Sequence, residues 1–86
     1  MNVDFTKRFW RQYFKLPQAI QRQFDDHLKL WITDSTHPQL RVHPLKGRYS
    51  GYWSLNVSGD VRALYMVRGD QITIFMLIGT HSQLYG

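Results

Sequence analysis

Three short stretches hold side chains of the types that move protons and grip phosphates. In "HPLKGRYSGYW", His43, Lys46 and Arg48 sit in a loop punctuated by Pro44, Gly47 and Gly51. Loops on a rigid scaffold often carry functional groups, and glycine lets the backbone turn or approach a ligand closely. In "SGDVRALY", Asp60 falls in a turn and Arg62 begins an otherwise apolar strand. A guanidinium held there offers a planar fork of donors to a phosphate, and to the charge that builds on a phosphorane-like transition state. In "GTHSQLYG", His81 follows a strand and Tyr85 comes four residues later. Imidazole suits acid-base work because it ordinarily titrates near neutral pH. His43, His81, Arg62 and Tyr85 together supply a proton acceptor, a proton donor, an anion stabiliser and a ring for stacking. That set suffices for RNA cleavage by attack of a ribose 2′-OH on the adjacent phosphorus. Each stretch also has a plainer reading: an exposed connection, an Arg62 paired with Asp60 or a helix carboxylate, and an ordinary tail.

Composition narrows the alternatives. Cysteine and glutamate are absent, and His27, His37, His43 and His81 show no HExxH or other tight ligand spacing. No metal site or thiol chemistry is expected. Without a GxGxxG, P-loop or GxSxG pattern, nucleotide cofactors and serine hydrolysis lack support, so no cofactor is expected. His27, near Phe24 and Trp31, reads as a core-edge or surface residue. Eleven Lys and Arg against six acids, all Asp, give a net charge of +5, which favours a polyanionic partner. Arg41, Lys46, Arg48, Arg62 and Arg68 face only Asp60 over that stretch, with Tyr49, Tyr52, Trp53 and Tyr65 interspersed. Cations beside aromatic rings suit phosphates beside bases. No run approaches the roughly 20 apolar residues that span a bilayer, and the first ten residues lack an apolar core, so a cytoplasmic protein without a membrane partner is expected.

The positioning elements follow from periodicity. The 86 residues suit a single domain, 1–86, with enough apolar and aromatic side chains for a core. "VDF" suits a short edge strand, and Thr6 reads as an N-cap. Phe9, Tyr13 and Leu16 then recur at helical spacing, widened by Trp10 and Phe14, with Lys7, Arg8, Arg11, Gln12 and Lys15 opposite. Pro17 separates this helix from a second one faced by Ile20, Phe24, Leu28 and Trp31. "TDSTHP" stops it. "YWSLNV", "VRALYMV" and "QITIFMLIGT", divided by the turns "SGD" and "RGD", predict three antiparallel strands. The last two are nearly all apolar, which predicts a sheet covered on one face and partly buried on the other. The expected class is α+β: a short N-terminal strand and an α-helical hairpin packed on a curved antiparallel sheet, in the order β-α-α-β-β-β.

Over nearly its whole length the chain resembles the RelE/ParE toxin superfamily, most nearly its YafQ branch. The resemblance rests on "HPLKGRYSGYW", "GDVRALY" and "GTHSQLYG", three ordered blocks at matching spacings. It implies a ribosome-dependent mRNA endoribonuclease of a type II toxin-antitoxin system, held inactive in a hetero-oligomer by a cognate antitoxin. It also implies a curved sheet with helices on one face and a basic cleft on the other. By that resemblance His81 and Asp60 are the acid-base residues and Arg62 holds the scissile phosphate. His43 belongs to the cleft, Lys46 and Arg48 bind phosphate, and Tyr85 stacks on or orients a nucleotide. The antitoxin is expected to lay an acidic segment over basic groups and apolar helix surface.

Three positions depart from the pattern. Asn56 stands where the branch has a second catalytic histidine, Leu77 where an arginine faces the cleft, and Val61 where an aromatic stands. Asn56 forms hydrogen bonds but is no general base near neutral pH, and Leu77 carries no charge. Arg62 is then the substitute cation, and Asn56 a substrate-binding residue. Other outcomes stay open at this point: a ParE-like non-enzymatic inhibitor of DNA gyrase, an attenuated toxin, or a structural nucleic-acid-binding module.

Overall fold

Thr6 caps the first helix: its Oγ1 accepts the Phe9 N–H at 3.0 Å, satisfying one of the donors that every helix start leaves over. The same hydroxyl donates to the Met76 carbonyl at 3.0 Å and ties the helix start to the far end of the chain. The structure, a computed structural model, describes residues 2–69 and 71–86. Its elements are β1 (Asn2–Phe5), α1 (Lys7–Phe14), α2 (Gln18–Thr33), β2 (His43–Pro44), β3 (Trp53–Ser58), β4 (Val61–Arg68), β5 (Ile72–Thr80) and α3 (His81–Tyr85), with 3-10 turns at Pro38–Leu40 and Gly47–Tyr49. α1 ends early because Pro17 disfavours helical geometry at Leu16, and α2 starts directly after that proline.

The α+β class and the helix hairpin follow the sequence expectation, and β3, β4 and β5 form the antiparallel meander. The sheet has five strands in the order β1-β5-β4-β3-β2. β1 lies parallel to β5, from Asn2↔Ile72 to Phe5↔Phe75, which makes the sheet mixed. Where β1 stops, α1 completes the β5 edge. The Thr6 N–H donates to the Phe75 carbonyl at 3.0 Å, and Gln12 Oε1 accepts the Ile78 N–H at 3.0 Å. In "RGD", Arg68 ends β4 and Gly69 turns at φ +62; Asp70 lies outside the described residues.

One face of the sheet is covered by α1 and α2, and the other is covered only in part. α1 and α2 bury Phe9, Tyr13, Phe24 and Trp31 against Leu55, Val57, Ala63, Tyr65, Phe75 and Ile78. Phe9 is the hub, with ring centroids 5.2 Å from Phe5, 5.3 Å from Phe24 and 5.9 Å from Phe75. On the other face Leu64, Leu77 and Leu84 form a smaller cluster flanked by Leu45, Tyr49, Tyr52, Met76 and Tyr85. A bulge produces this division: β4 pairs Leu64 with Leu77 but Tyr65 with Phe75, so Met76 is surplus. One extra residue resets the two-residue alternation and lets Phe75 and Ile78 face the helices while Leu77 faces away.

Truncating Phe9 empties the hub of the aromatic core, so Phe9→Ala is expected to cost about 3–5 kcal/mol, read as a lower urea midpoint at unchanged slope. Tyr13 gives a second expectation. Its hydroxyl donates to Asp25 Oδ1 at 2.8 Å. Burial, then the Asp25 hydrogen bond and charge, push the phenol from its ordinary 10.0 up to about 12. The folded protein therefore holds this proton more tightly than the unfolded chain does. The resulting stabilisation is complete below about pH 10 and is lost as pH rises through about 12. Tyr13→Phe is expected to flatten part of that alkaline decline, measured as melting temperature against pH.

Candidate active site

The β4–β5 ladder ends at Val61↔Thr80, and there the chain leaves the sheet in two directions. Backwards it enters the Gly59–Asp60 turn, with Gly59 at φ +48; forwards it enters α3. One further rung would set Asp60 opposite His81. One rung inside, Arg62 lies between Gly79 on β5 and Asn56 on β3. Directly opposed residues send their side chains to one face, here the face away from α1 and α2. Arg62 Nη1 donates to Asn56 Oδ1 at 3.2 Å, so its hydrogen-bond partner is neither Asp60 nor a helix carboxylate. His81 is two residues beyond Gly79, which puts its Cα within about 7 Å of that glycine's. Asp60, Arg62, Asn56 and His81 are thus gathered at one end of the sheet. Asp60 and His81 are exposed, while Arg62 and Asn56 are half-buried.

α3 folds the chain back over this face. Sequence reasoning sets His81 just beyond the last strand and gives the terminus no regular element; the structure makes His81–Tyr85 a helix begun by a capping box. The Gln83 N–H donates to Thr80 Oγ1 at 3.2 Å, and the Thr80 N–H donates to Gln83 Oε1 at 2.8 Å. The T-x-x-Q pattern of "THSQ" is the signal that reveals it. Gly79 makes the close approach possible: a Cβ there would stand 2.8 Å from Gln83 Oε1 and 3.3 Å from its Cβ. Within the helix His81 stacks on Tyr85, centroids 4.6 Å apart and planes at 27°. Tyr85 meets Tyr49 edge-on at 5.1 Å.

The far end of α3 is fastened from the 47–49 turn. Tyr49 Oη donates to the Leu84 carbonyl at 2.5 Å, and Arg48 Nη1 reaches the same oxygen at 3.4 Å. Helix C-termini leave such carbonyls without partners inside the helix, and a helix of five residues has no stability of its own. Tyr49 therefore helps to place His81 and Tyr85, a role that no local sequence pattern discloses. Gly47, at φ +66, permits the turn that brings Arg48 and Tyr49 there. Lys46, just before it, is exposed.

His43 stands apart from the Asp60–His81 end. It pairs with Ser54 on the outer strand β2, at the level of Leu64 and Leu77. Its Nδ1 lies 2.8 Å from the Arg41 carbonyl. A carbonyl only accepts, so Nδ1 is the donor of this bond. Arg41 holds that carbonyl from a left-handed backbone conformation, φ +49, unusual for a residue with a side chain. Leu77 lies on the face where an arginine is expected, buried with Leu64 and Leu84, and the cations that contacts place beside this face are Arg62 and Arg48. His27 is half-buried on α2, with Nδ1 2.6 Å from the Asn56 carbonyl. Among the described residues, no three His, Asp, Glu or Cys side chains are grouped to hold a metal ion.

Comparison with known proteins gives consistent relatives. The family described as bacterial toxin of type II toxin-antitoxin system, YafQ, matches residues 1–86. Toxin YoeB of Streptomyces coelicolor is 28% identical over 78 residues, covering 86% of this chain and 92% of its own. The crystal structure of YafQ from E. coli superposes with a TM-score of 0.81 at 22% identity, over 99% of this chain and 98% of that one. The toxin chain of the E. coli DinJ-YafQ complex gives a TM-score of 0.78 at 23% identity, over 99% and 97%. At such identities the structural likeness establishes the fold.

Because Tyr49 contributes a hydroxyl and a ring separately, Tyr49→Phe isolates the hydroxyl. Loss of this bond is expected to cost about 1 kcal/mol locally and to speed amide hydrogen exchange in α3 about fivefold, with the exchange of β4 amides unchanged.

Proposed function

Since the chain belongs to the YafQ family of bacterial type II toxin-antitoxin toxins, we propose that it is an endoribonuclease that cuts mRNA on the ribosome and so inhibits translation. The observation that carries this reading is the common end of the β4–β5 ladder, which collects Asp60, Arg62 and His81 around one open face. In the proposed reaction the 2′-OH loses its proton, its oxygen bonds to the adjacent phosphorus, and the bond to the 5′-oxygen breaks. The leaving oxygen takes up a proton, and the upstream fragment ends in a cyclic phosphate. Asp60 and His81 form the acid-base pair. A carboxylate, ordinarily ionised at neutral pH, suits the acceptor role, and an imidazolium suits the donor.

Arg62, held by Asn56, meets the phosphate and stabilises the charge that develops on it. Tyr85 offers a nucleotide base a stacking surface beside the His81 imidazole. Lys46 and Arg48 line the approach for neighbouring phosphates, and His43, two rungs from Arg62 on the outer strand, orients the chain further along. The ribosome supplies the positioning of the mRNA that so small a protein cannot provide alone. The partner that restrains the toxin is a cognate antitoxin, in line with the DinJ-YafQ assembly, and the site of action is the cytoplasm. The gyrase-inhibitor alternative is not favoured, since the family match is to YafQ and the curated relative is a YoeB toxin.

Primer extension on mRNA in a translating extract tests this. New cleavage ends are expected with the intact protein, falling by about 100-fold or more with His81→Ala and by a similar factor with Arg62→Ala. Absence of new ends with the intact protein, or undiminished cleavage by His81→Ala, overturns the proposal.

A further inference from the structure

His27 lies on α2, in the helix layer, and none of the roles above uses it. Its Nδ1 stands 2.6 Å from the main-chain oxygen of Asn56, 29 residues away in sequence. The position it touches is the last regular partner of β4 before the ladder is interrupted, and it has no β2 partner on its other side. β2 accompanies β3 only as far as Ser54, and the register between β3 and β4 slips between Asn56 and Ser58. At a bulge the ladder is locally interrupted, so the orientation of a peptide plane there is set by whatever else binds it. The Asn56 side chain leaves that same residue toward the opposite face, where its Oδ1 receives Arg62 Nη1.

We propose that His27 is a positioning residue: it fixes the Asn56 peptide from the helix layer, and through Asn56 Oδ1 it aims the Arg62 guanidinium at the scissile phosphodiester. This rests on the nuclease reading above for its catalytic consequence, but not for its geometry. The carbonyl can only accept, so Nδ1 donates, and both the neutral tautomer and the imidazolium satisfy that requirement. His27 and Asn56 also border an open concavity of about 520 Å³, shared with Pro38, Gln39, Arg41 and Gly59. The concavity opens to solvent, so a water is expected to take over the carbonyl when His27 is removed. What the variant loses is therefore the placement of Asn56 rather than the pairing of a buried polar group. A side-chain amide at position 27 can present its nitrogen near the place of Nδ1, which makes asparagine the conservative replacement.

The test compares His27→Leu with His27→Asn, in mRNA cleavage on programmed ribosomes and in NMR spectra of the Asn56 side-chain amide and the Arg62 guanidinium. His27→Leu is expected to lower kcat by roughly 10- to 100-fold with KM nearly unchanged, as misplacement of a group that acts in the transition state does. His27→Asn is expected to recover to within about twofold of the intact protein on that same scale. In an Arg62→Ala background, His27→Leu is expected to add no further loss, because both substitutions remove one function. Equal impairment by both variants, a rise in KM alone, or losses that multiply with Arg62→Ala overturns the proposal. The NMR arm is independent of activity: shifted Asn56 and Arg62 signals in His27→Leu, restored in His27→Asn, support it, and unchanged signals overturn it. An intact protein that cleaves nothing refutes the nuclease reading, and the spectra then still decide whether His27 places Asn56 and Arg62.

Discussion

From Arg68 to Val61, β4 pairs with β5 from Ile72 to Thr80, and the end of that ladder brings Asp60, Arg62 and His81 to one end of the sheet, with Asn56 beside Arg62 on β3. Arg62 opposes Gly79, the Asp60 turn departs on one side of the rung, and His81 departs on the other. Side chains alternate every residue along a strand, so a slip of one position would turn Arg62 under the helices and Ala63 onto the open face. Such a slip is opposed on both sides of the sheet. Tyr65 and Phe75 are packed under α2 with Trp31, while Leu64 and Leu77 are packed under Leu84. The Met76 bulge lets one strand serve both cores. Placement of the catalytic candidates is therefore a consequence of apolar packing, although none of them belongs to it.

The open face is divided between two kinds of surface. Its lower part is a small apolar floor, Leu64, Leu77 and Leu84, roofed by α3 and the tyrosines of the preceding loop. Its upper part, at the ladder end, is polar and accessible. A leucine at 77 belongs to the first part, because a cation there would be desolvated among leucines. Arg62 sits at the boundary, half-buried, its guanidinium shared with a neutral amide rather than neutralised by a carboxylate. An arginine held in this way keeps its full charge for an incoming anion, and its geometry is constrained before the anion arrives. α3 depends on a few contacts: a capping box, Leu84, the Tyr85–Tyr49 ring contact, and the Tyr49 hydroxyl and Arg48 guanidinium on one carbonyl.

Much of this was legible in the residues themselves. Thr6 announced its helix, Phe9, Tyr13, Phe24 and Trp31 announced the buried helix faces, and the turns around Asp60 and Gly69 divided the strands of the meander. Those signals are local, and local physics decides them. The parallel pairing of β1 was not legible, since four residues carry no record of which distant strand they will join. α3 is too short for periodicity, although Thr80 and Gln83 held the capping pattern in plain view. Burial of Leu77 depends on a bulge, and a bulge hides inside a uniformly apolar run such as "ITIFMLIGT". Tyr49 and His27 act through main-chain oxygens of Leu84 and Asn56, so their roles exist only after tertiary structure has brought unrelated segments together. The three sequence blocks pointed to the correct family because they hold most of the ladder-end residues.

The parallel seam between the first and fifth strands has a bearing on biosynthesis. Thr6 finds its acceptor on Met76, 70 residues later, and Asn2 waits for Ile72. Contacts so distant in sequence require closing a long loop before they give anything back, which places the seam late in folding. A nascent chain emerging from the ribosome can assemble its helices early, yet it has no fifth strand to dock against until that segment is synthesised. The side chains at the ladder end consequently come together only after the fifth strand has been synthesised, so the folded toxin appears later than its helices do.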